Sequence, residues 1–373
     1  MSTRHSSKML VRFLLAVVIA TTCSCAIDKN PFNYDECYPK NITSEFLGFE
    51  DKLPLCMVLA DPYLYVCAGS DGVWKRDLKS MSKWQYLGLG DTSLGKYTYH
   101  GAREIDVIGE DVLVAYNGAA PNVESESTIS VWRSTNGGMD WFRSDSGIPE
   151  TIPYPYDNNV LTSLERSPHK PNIVIGWIDP TSYRSMDGGS HWIMLFGQRG
   201  VVSGDGIVRW HPFQPGEVWI FGSAALFYPY CFSMQNYGSE PKASINFDSL
   251  GFPADGDVYD VAFDAGNPDI VYAATSQGVI KTSDGGYTWR NNAVQIPDNG
   301  FVLRMAHHSS IGGILYLAGG KRIYSTCDGG KTVHLIGEIK QSFITSFVLD
   351  TQGNQLFVGA SEGGIYALKL NGR

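Results

Sequence analysis

Short runs of alternating apolar and polar residues, each ending at turn residues, recur along most of this chain. One stretch contains four such runs, at residues 258–263 (VYDVAF), 270–274 (IVYAA), 278–281 (GVIK) and 287–290 (YTWR). Runs of this length, rich in Val, Ile and Tyr and bounded by Gly, Asn and Asp, predict β-strands rather than helices. Four short strands in succession are typical of one blade of a β-propeller.

Seven such units follow one another, at residues 53–88, 103–149, 160–197, 206–252, 257–297, 301–338 and 343–370. The last unit contains only three strand runs, which would leave an open sheet edge. Residues 44–49 (SEFLGF) resemble the outer strand at 84–89 (WQYLGL). We therefore expect an all-β, seven-bladed β-propeller with four-stranded blades, closed by this N-terminal strand and spanning residues 44–370. The alternative is that residues 44–49 are a loose leader.

One turn pattern occurs four times, at residues 134–141 (STNGGMDW), 185–192 (SMDGGSHW), 282–289 (TSDGGYTW) and 326–333 (TCDGGKTV). Its two glycines allow positive φ, and the preceding Asp or Asn can accept bonds from backbone N–H groups further along the turn. The aromatic residue then packs between neighbouring sheets. We interpret the pattern as a folding device, so Asp187, Asp284 and Asp328 are not candidates for catalysis. The alternating acidic ligands of a calcium loop are also missing.

The pattern resembles the Asp-box (BNR) repeat of sialidases, xyloglucanases, sortilin-type receptors and photosystem II assembly factors. The resemblance implies a propeller but no particular function, because these families include enzymes and binding proteins. The box tryptophans Trp141, Trp192 and Trp289 are separated by 51 and then 97 residues. Since propeller repeats have periods of roughly 40–50 residues, a degenerate box is expected at residues 231–245.

Charge and composition narrow the choice of partners. The formal net charge is −9, and it becomes about −12 if a leader carrying Arg4, Lys8 and Arg12 is removed. An acidic surface repels phosphate backbones, so nucleic acid is not expected as a partner. The sequence has no C-x-x-C motif, which argues against a zinc site, and we expect neither a metal nor another cofactor. A monomer is expected.

The first 25 residues read as an export signal. Three cations precede the apolar residues 13–20 (FLLAVVIA), a run too short to span a bilayer. Residues 21–25 (TTCSC) resemble the end of a bacterial lipobox, with Cys25 as the preferred lipidated residue and Cys23 as the other option. The usual Leu three residues before the Cys is absent. We expect a lipoprotein of the periplasm or cell surface, held at a membrane by residues 26–43 as a tether. Cleavage and release is the alternative.

Two further cysteines, Cys56 and Cys67, lie at equal distances from the turn at residues 60–63 and should face each other across a hairpin. A disulfide is possible in an exported protein, and two buried thiols are the alternative.

Aromatic residues are concentrated in the loops that join an outer strand to the next blade and in those between second and third strands. The resemblance places these loops on one face, opposite the boxes. Rigid scaffolds often carry binding residues on such loops, and Tyr and Trp suit sugar rings and peptides alike. The candidate ligand-binding residues are Tyr97, Tyr99, Tyr154, Tyr156, Trp177, Tyr228 and Tyr230. These aromatic residues could instead fill gaps between loops.

The inner strands provide a second group of candidates. Aligned on their turns, they place Ser163, Ile207, Asp260, Arg304 and Ser346 at one position and Glu165, Arg209, Ala262, Ala306 and Val348 two residues later. Both positions lie on one strand face, so several charges should line the central tunnel. The candidates for chemistry are Arg103, Asp106, Glu165, Arg209, Asp260 and Arg304. They could instead form a structural network in which Asp260–Arg304 and Glu165–Arg209 neutralise each other.

Two functions remain open. Glycosidases need two suitably spaced carboxylates, and three arginines could imitate the substrate clamp of sialidases. However, sialidases of this type have six blades and an Arg-Ile-Pro motif that this chain lacks, and xyloglucanases use two propellers. Photosystem II assembly factors resemble this chain in size and export signal, although their arginine-rich face is not evident here. The favoured function is a non-catalytic binding module for a glycan or a protein partner, with a glycoside hydrolase as the alternative.

Overall fold

The computed structural model describes residues 41–80, 82–91, 100–119, 127–149, 161–178, 181–197, 206–222, 230–238, 240–245, 257–339, 342–352 and 354–371. Apart from a 3-10 turn at Pro297–Asn299, the regular elements of these ranges are strands. They are β1 (Asn41–Phe46), β2 (Cys56–Ala60), β3 (Tyr63–Cys67), β4 (Val73–Asp77), β5 (Gln85–Gly88), β6 (Gly101–Ile108), β7 (Asp111–Ala119), β8 (Ser127–Ser134), β9 (Phe142–Arg143), β10 (Leu161–Arg166), β11 (Val174–Ile178), β12 (Thr181–Ser185), β13 (Trp192–Gly197), β14 (Ile207–Trp210), β15 (Val218–Gly222), β16 (Tyr230–Gln235), β17 (Glu240–Ile245), β18 (Val258–Phe263), β19 (Val271–Thr275), β20 (Gly278–Thr282), β21 (Arg290–Val294), β22 (Arg304–His307), β23 (Leu315–Gly319), β24 (Arg322–Thr326), β25 (His334–Glu338), β26 (Ile344–Asp350), β27 (Gln355–Ala360) and β28 (Gly364–Asn371).

Within the described residues these strands form seven sheets of four strands each. Six sheets consist of consecutive antiparallel strands: β2–β5, β6–β9, β10–β13, β14–β17, β18–β21 and β22–β25, here called blades 1 to 6. The remaining sheet, blade 7, has the order β1-β28-β27-β26. An all-β propeller with four-stranded blades, as the strand pattern predicted, is therefore confirmed.

The first strand of blades 1 to 6 faces the centre of the molecule. In blade 7 the central strand is β26, and its strands are counted outward from β26 to β1. Contacts between these inner strands run from β2 to β6, β10, β14, β18, β22 and β26, and β26 contacts β2. The ends of the blades at which the inner strands begin, together with the turns between second and third strands, are called the first face. The four box turns lie at the other end of blades 2, 3, 5 and 6, and this end of the blades is called the box face.

The N-terminal strand β1 pairs antiparallel with β28, from Asn41 opposite Asn371 to Phe46 opposite Tyr366. The predicted boundary is wrong by a few residues, because β1 begins at Asn41 rather than at Ser44. Residues 41–43 therefore belong to blade 7 and not to the expected tether. Ile42 packs partly against the apolar cluster between blades 6 and 7, which accounts for the earlier start.

Residues 47–49, predicted to extend this strand, instead lead into the core between blades 7 and 1. Leu47 and Phe49 are buried there beside Phe357 and Ile365 of blade 7 and Met57 of blade 1. The Leu47 carbonyl accepts bonds from the Trp84 indole at 2.8 Å and from Arg76. The segment is thus fixed on both sides of the junction between the first and last blades.

The four box turns share one hydrogen-bond scheme, as the sequence pattern predicted. In the first, the Ser134 hydroxyl contacts Asn136 at 2.8 Å and accepts a bond from the Gly138 N–H at 2.8 Å. Gly138 has φ +89° and a Cβ there would lie 2.7 Å from Leu87, so only glycine fits. The Trp141 indole donates to the Leu87 carbonyl of the preceding blade at 2.7 Å. The boxes therefore join blades, and their Asp side chains hold the turns.

Candidate functional site

A cavity of about 660 Å³ opens along the axis of the ring, between the inner strands. All six residues predicted as candidates for chemistry line it: Arg103, Asp106, Glu165, Arg209, Asp260 and Arg304. Alternation along the inner strands thus placed Glu165, Arg209, Asp260 and Arg304 correctly in the centre, whereas Ala262, assigned to the same face, is buried in the core between blades 5 and 6. The hydrogen bonds and ion pairs of each side chain determine which of them are available for chemistry.

The alignment of one inner position is also confirmed. Ser163, Asp260 and Ser346 each follow a β-bulge and pair with the penultimate residue of the second strand. The same bulge lies in β6, between Ala102 and Glu104. It brings Glu104 to this position with Arg103 beside it, and both side chains line the cavity. The sequence placed Glu104 near the tunnel together with Arg103 and Asp106 but did not include it among the candidates for chemistry, because the bulge that aligns it with Asp260 leaves no clear trace in one sequence.

Asp260, at the start of blade 5, holds the next blade in place. Its carboxylate accepts bonds from the Met305 N–H of blade 6 at 2.8 Å and from the Val261 N–H at 2.9 Å. The guanidinium of Arg209 in blade 4 donates to it at 3.0 Å. With its side chain only 8% exposed, Asp260 has both oxygens occupied by donors from three blades.

Asp106 belongs to a charge network between blades 2 and 3. Its carboxylate lies 3.0 Å from the Arg166 guanidinium and accepts a bond from the Arg166 N–H at 3.1 Å. Arg166 also contacts Asp111 at 2.9 Å, and Asp111 in turn contacts Arg133 at 2.8 Å. Burial raises the pKa of Asp106, which Arg166 opposes, whereas the bonds from the two arginines outweigh desolvation and lower the pKa of Asp111.

Glu165 lies on the tunnel wall at the junction of blades 3 and 4. Desolvation raises its pKa to about 8, although the charge of Arg209 acts in the opposite direction. Its carboxyl oxygen accepts one bond, from the Trp210 N–H of blade 4 at 3.2 Å. Glu165 therefore bridges blades 3 and 4 and is largely protonated at neutral pH.

The ion pairs proposed from the sequence need correction. Asp260 pairs with Arg209 and not with Arg304. Arg304 instead donates to the backbone carbonyls of Thr345 at 3.0 Å and Leu303 at 2.8 Å. The cation that reaches Asp260 is therefore Arg209, two positions further along the inner strand of blade 4 than the residue aligned with Asp260. Glu165 and Arg209 influence each other electrostatically, but Arg209 makes its close contact with Asp260.

The predicted disulfide between Cys56 and Cys67 is wrong: both are free thiols. The two residues do face each other across the β2–β3 hairpin, as their numbering indicated. Desolvation raises the pKa of both thiols well above the usual range. Cys67 is buried and Cys56 half-buried, so the alternative of two thiols without a disulfide is the one observed. Cys56 lines the cavity beside Glu104, whose pKa is also raised by desolvation.

Two histidines near the cavity make contacts that stabilise the local structure. His307 ends strand β22, and its ring packs edge-on against Phe213 and Phe263. Desolvation lowers its pKa to about 4. The His308 ring accepts bonds from the Ser310 and Ile311 N–H groups of the following turn. Within the described ranges, no group of three or more His, Cys, Asp or Glu residues could hold a metal ion.

The candidate aromatic loops are described only in part. Tyr97, Tyr99, Tyr154, Tyr156 and Tyr228 lie outside the described residues, and Tyr230 is described only as the first backbone position of β16. Trp177 is a correction, because it lies on strand β11 and is 1% exposed in the core between blades 3 and 4. The sequence placed Trp177 at the start of a loop at residues 177–183, whereas β11 continues to Ile178 and β12 begins at Thr181.

The leader, Cys25 and the first part of the tether also lie outside the described residues. Among the residues that are described, no helix has both the length and the apolar character needed to cross a bilayer.

No protein-family model and no curated protein matches this sequence. Solved structures do resemble it. A GH74 xyloglucanase from Xanthomonas campestris has a TM-score of 0.64 at 15% identity, over 88% of this chain and 53% of its own. YCF48 bound to D1 peptide has a TM-score of 0.58 at 14% identity, over 88% of this chain and 96% of its own. YCF48 from Cyanidioschyzon merolae has a TM-score of 0.55 at 13% identity, covering 87% and 98%.

At these identities the similarities establish the propeller fold alone. This chain spans about half the length of the xyloglucanase and nearly all of YCF48. The neighbours include a glycoside hydrolase and a propeller bound to a peptide, and one fold can carry either function.

Proposed function

We propose that this chain is an exported, lipid-anchored propeller that acts as a non-catalytic binding module for a protein partner or a glycan. The observation that carries the proposal is the use of the tunnel carboxylates. Asp260 and Asp106 accept backbone N–H groups of the next blade and contact arginines, and Glu165 also accepts a backbone N–H. Carboxyl groups that already accept bonds from the neighbouring blade are poorly placed to act as a freely accessible acid and base.

The protein-partner form of this proposal is supported by the neighbour YCF48, which was solved with D1 peptide and is covered almost completely by this chain. The binding surface proposed is the first face, on which the sequence analysis expects the connecting loops with the candidate tyrosines. A rigid ring with aromatic loops offers a partner a large contact area and loses little conformational entropy on binding.

The binding proposal is tested with the chain after Cys25 immobilised and challenged with solubilised membrane proteins and a glycan array. We expect retention of a defined protein or glycan that is reduced at least about tenfold by Tyr154→Ala combined with Tyr228→Ala. Tyr287→Ala is the matched control, because this tyrosine is 57% exposed in the box turn of blade 5. Equal loss in the control variant, or no retained molecule at all, would refute binding at the first face.

A glycoside hydrolase is the second candidate, and one observation favours it. Glu165 has a pKa raised to about 8, and a carboxyl that stays protonated at neutral pH is what a general acid requires. A panel of aryl glycosides that includes sialic acid tests this function. Turnover that disappears in Glu165→Gln while the variant stays folded would establish the hydrolase and overturn the non-catalytic proposal.

The anchor and the ring closure belong to the same proposal. We propose that Cys25 carries the lipid, with Cys23 as the alternative, and that β1 closes the seven sheets into one ring. Cys25→Ala should abolish incorporation of labelled palmitate and move the protein from the detergent phase to the aqueous phase. Labelling that is lost only in Cys23→Ala would transfer the modification to that residue.

A further inference from the structure

Three exposed phenylalanines lie on the first face of blades 6 and 7. Phe46, Phe301 and Phe343 have 45%, 49% and 60% of their surface exposed. The fold does not demand an aromatic residue there. In blade 5 the position equivalent to Phe343, whose carbonyl likewise accepts a bond from the turn between second and third strands, is the exposed Asp257. Large apolar side chains left exposed without a structural need point to an interaction surface.

These side chains are connected by the turns between them. A Cβ on Gly320 would lie 3.4 Å from the Phe301 ring, and the next residue, Lys321, places its ammonium group 5.9 Å from the centre of the Phe343 ring. The Gly320 carbonyl accepts a bond from the Ile344 N–H at 2.7 Å, which fixes the turn against the start of blade 7. Phe301, Lys321 and Phe343 therefore follow one another across the blade junction.

The surface continues to Phe46 over the β27–β28 turn. The Phe343 carbonyl accepts a bond from the Ser361 N–H at 2.9 Å, and Phe46 lies against Gly364 and packs 5.2 Å from Tyr366. The four residues Phe46, Phe301, Lys321 and Phe343 are called the phenylalanine strip. Glu362 is exposed beyond Phe343, so the strip has one cation between two rings and one anion further along.

A groove of about 470 Å³ runs beside the strip, between the outer strands of blades 6 and 7. Both blades contribute to its lining, which combines the apolar residues Ile42, Ile336, Ile339, Tyr366 and Leu368 with the polar residues Ser44, Glu338 and Ser342. The volume is enough for apolar side chains of a bound segment. The exposed phenylalanine rings of the strip offer no hydrogen-bond partners, whereas sugar rings need several, so the strip favours a peptide over a glycan.

We propose that the phenylalanine strip binds an extended peptide segment of a protein partner, one with apolar side chains flanking an acidic residue. The apolar side chains cover the rings and enter the groove, and the acidic residue lies at Lys321. The positive charge of Lys321 matches an acidic peptide residue, although the chain as a whole has a net charge of −9. The inference rests on the proposed binding function and specifies its partner and location.

The test uses three fluorescent nine-residue peptides that share three leucines and differ only in a central Glu, Gln or Lys. Fluorescence anisotropy should rank them Glu, Gln, Lys in decreasing affinity for the wild-type protein. Lys321→Glu should reverse that order, with a change of about threefold in each direction for an exposed pair. Phe301→Ser combined with Phe343→Ser should weaken the Glu peptide by at least about tenfold.

Phe142→Ser is the matched control, because Phe142 is 46% exposed on the outer strand of blade 2, away from the strip. It should leave peptide affinity unchanged. Equal affinity for the three peptides, an unchanged order in Lys321→Glu, or glycan binding lost in the strip variant instead of peptide binding would overturn the proposal. If the strip variant still retains the partner found by immobilisation, the binding function stands and only its location on the strip is refuted.

Discussion

Replacing Asp260 tests whether its carboxylate has a structural role or is available for catalysis. Its two oxygens accept three donors: the Met305 N–H, the Val261 N–H and the Arg209 guanidinium. Asparagine has the same shape, but its NH₂ group must face one of these donors. Asp260→Asn therefore leaves at least one buried N–H without an acceptor and Arg209 without its counter-charge.

The expected loss follows from these contacts. Each hydrogen bond to a charged group contributes about 1.5–3 kcal/mol, and breaking a buried ion pair costs about 3–5 kcal/mol. Arg209 keeps 34% of its side-chain surface, so water offsets part of its loss. We expect Asp260→Asn to lower the free energy of unfolding by about 3 kcal/mol, a large part of the 5–15 kcal/mol typical of a folded domain.

Urea unfolding followed by tryptophan fluorescence measures this difference. Asp257→Asn is the control, because Asp257 is exposed just before the same strand. It should stay within about 0.5 kcal/mol of the wild type. If Asp260→Asn also stays within that range, Asp260 does not hold the blades together, and the main argument against tunnel catalysis fails.

Three further predictions follow from the same contacts. The pKa of Glu165 is about 8 in the folded protein, so only the unfolded chain releases this proton between pH 5 and 7 and stability falls as pH rises. In urea titrations at pH 5 and pH 7, the free energy of unfolding should fall by about 1–2 kcal/mol less in Glu165→Gln than in the wild type, and an equal fall in both proteins would refute this. Deleting residues 1–46 should expose the edge of β28 and lower Tm by several degrees, whereas deleting residues 1–40 should not; equal Tm values would show that β1 does not close the ring. Cys67, which is fully buried, should resist a thiol reagent in the native protein and react in denaturant, and a mass two hydrogens lower for the linked peptides of Cys56 and Cys67 would instead reveal a disulfide.

The local pattern of the chain determined its strands, its box turns and the residues that meet at the centre. Alternation assigned Asp260 and Arg304 to one face because a strand repeats every two residues. The box turns were readable because Gly138 and its counterparts need positive φ, which leaves a specific residue requirement in the sequence. Composition further predicted an acidic protein without a nucleic-acid partner.

Only the tertiary structure decided which neighbours these residues have. A bulge in β6 brings Glu104 into the tunnel, and the offset between blades pairs Asp260 with Arg209 instead of Arg304. The burial of Trp177 and the free thiols of Cys56 and Cys67 likewise depend on packing between whole sheets. The phenylalanine strip joins residues from both ends of the chain, and such contacts between distant segments have no signature in local periodicity.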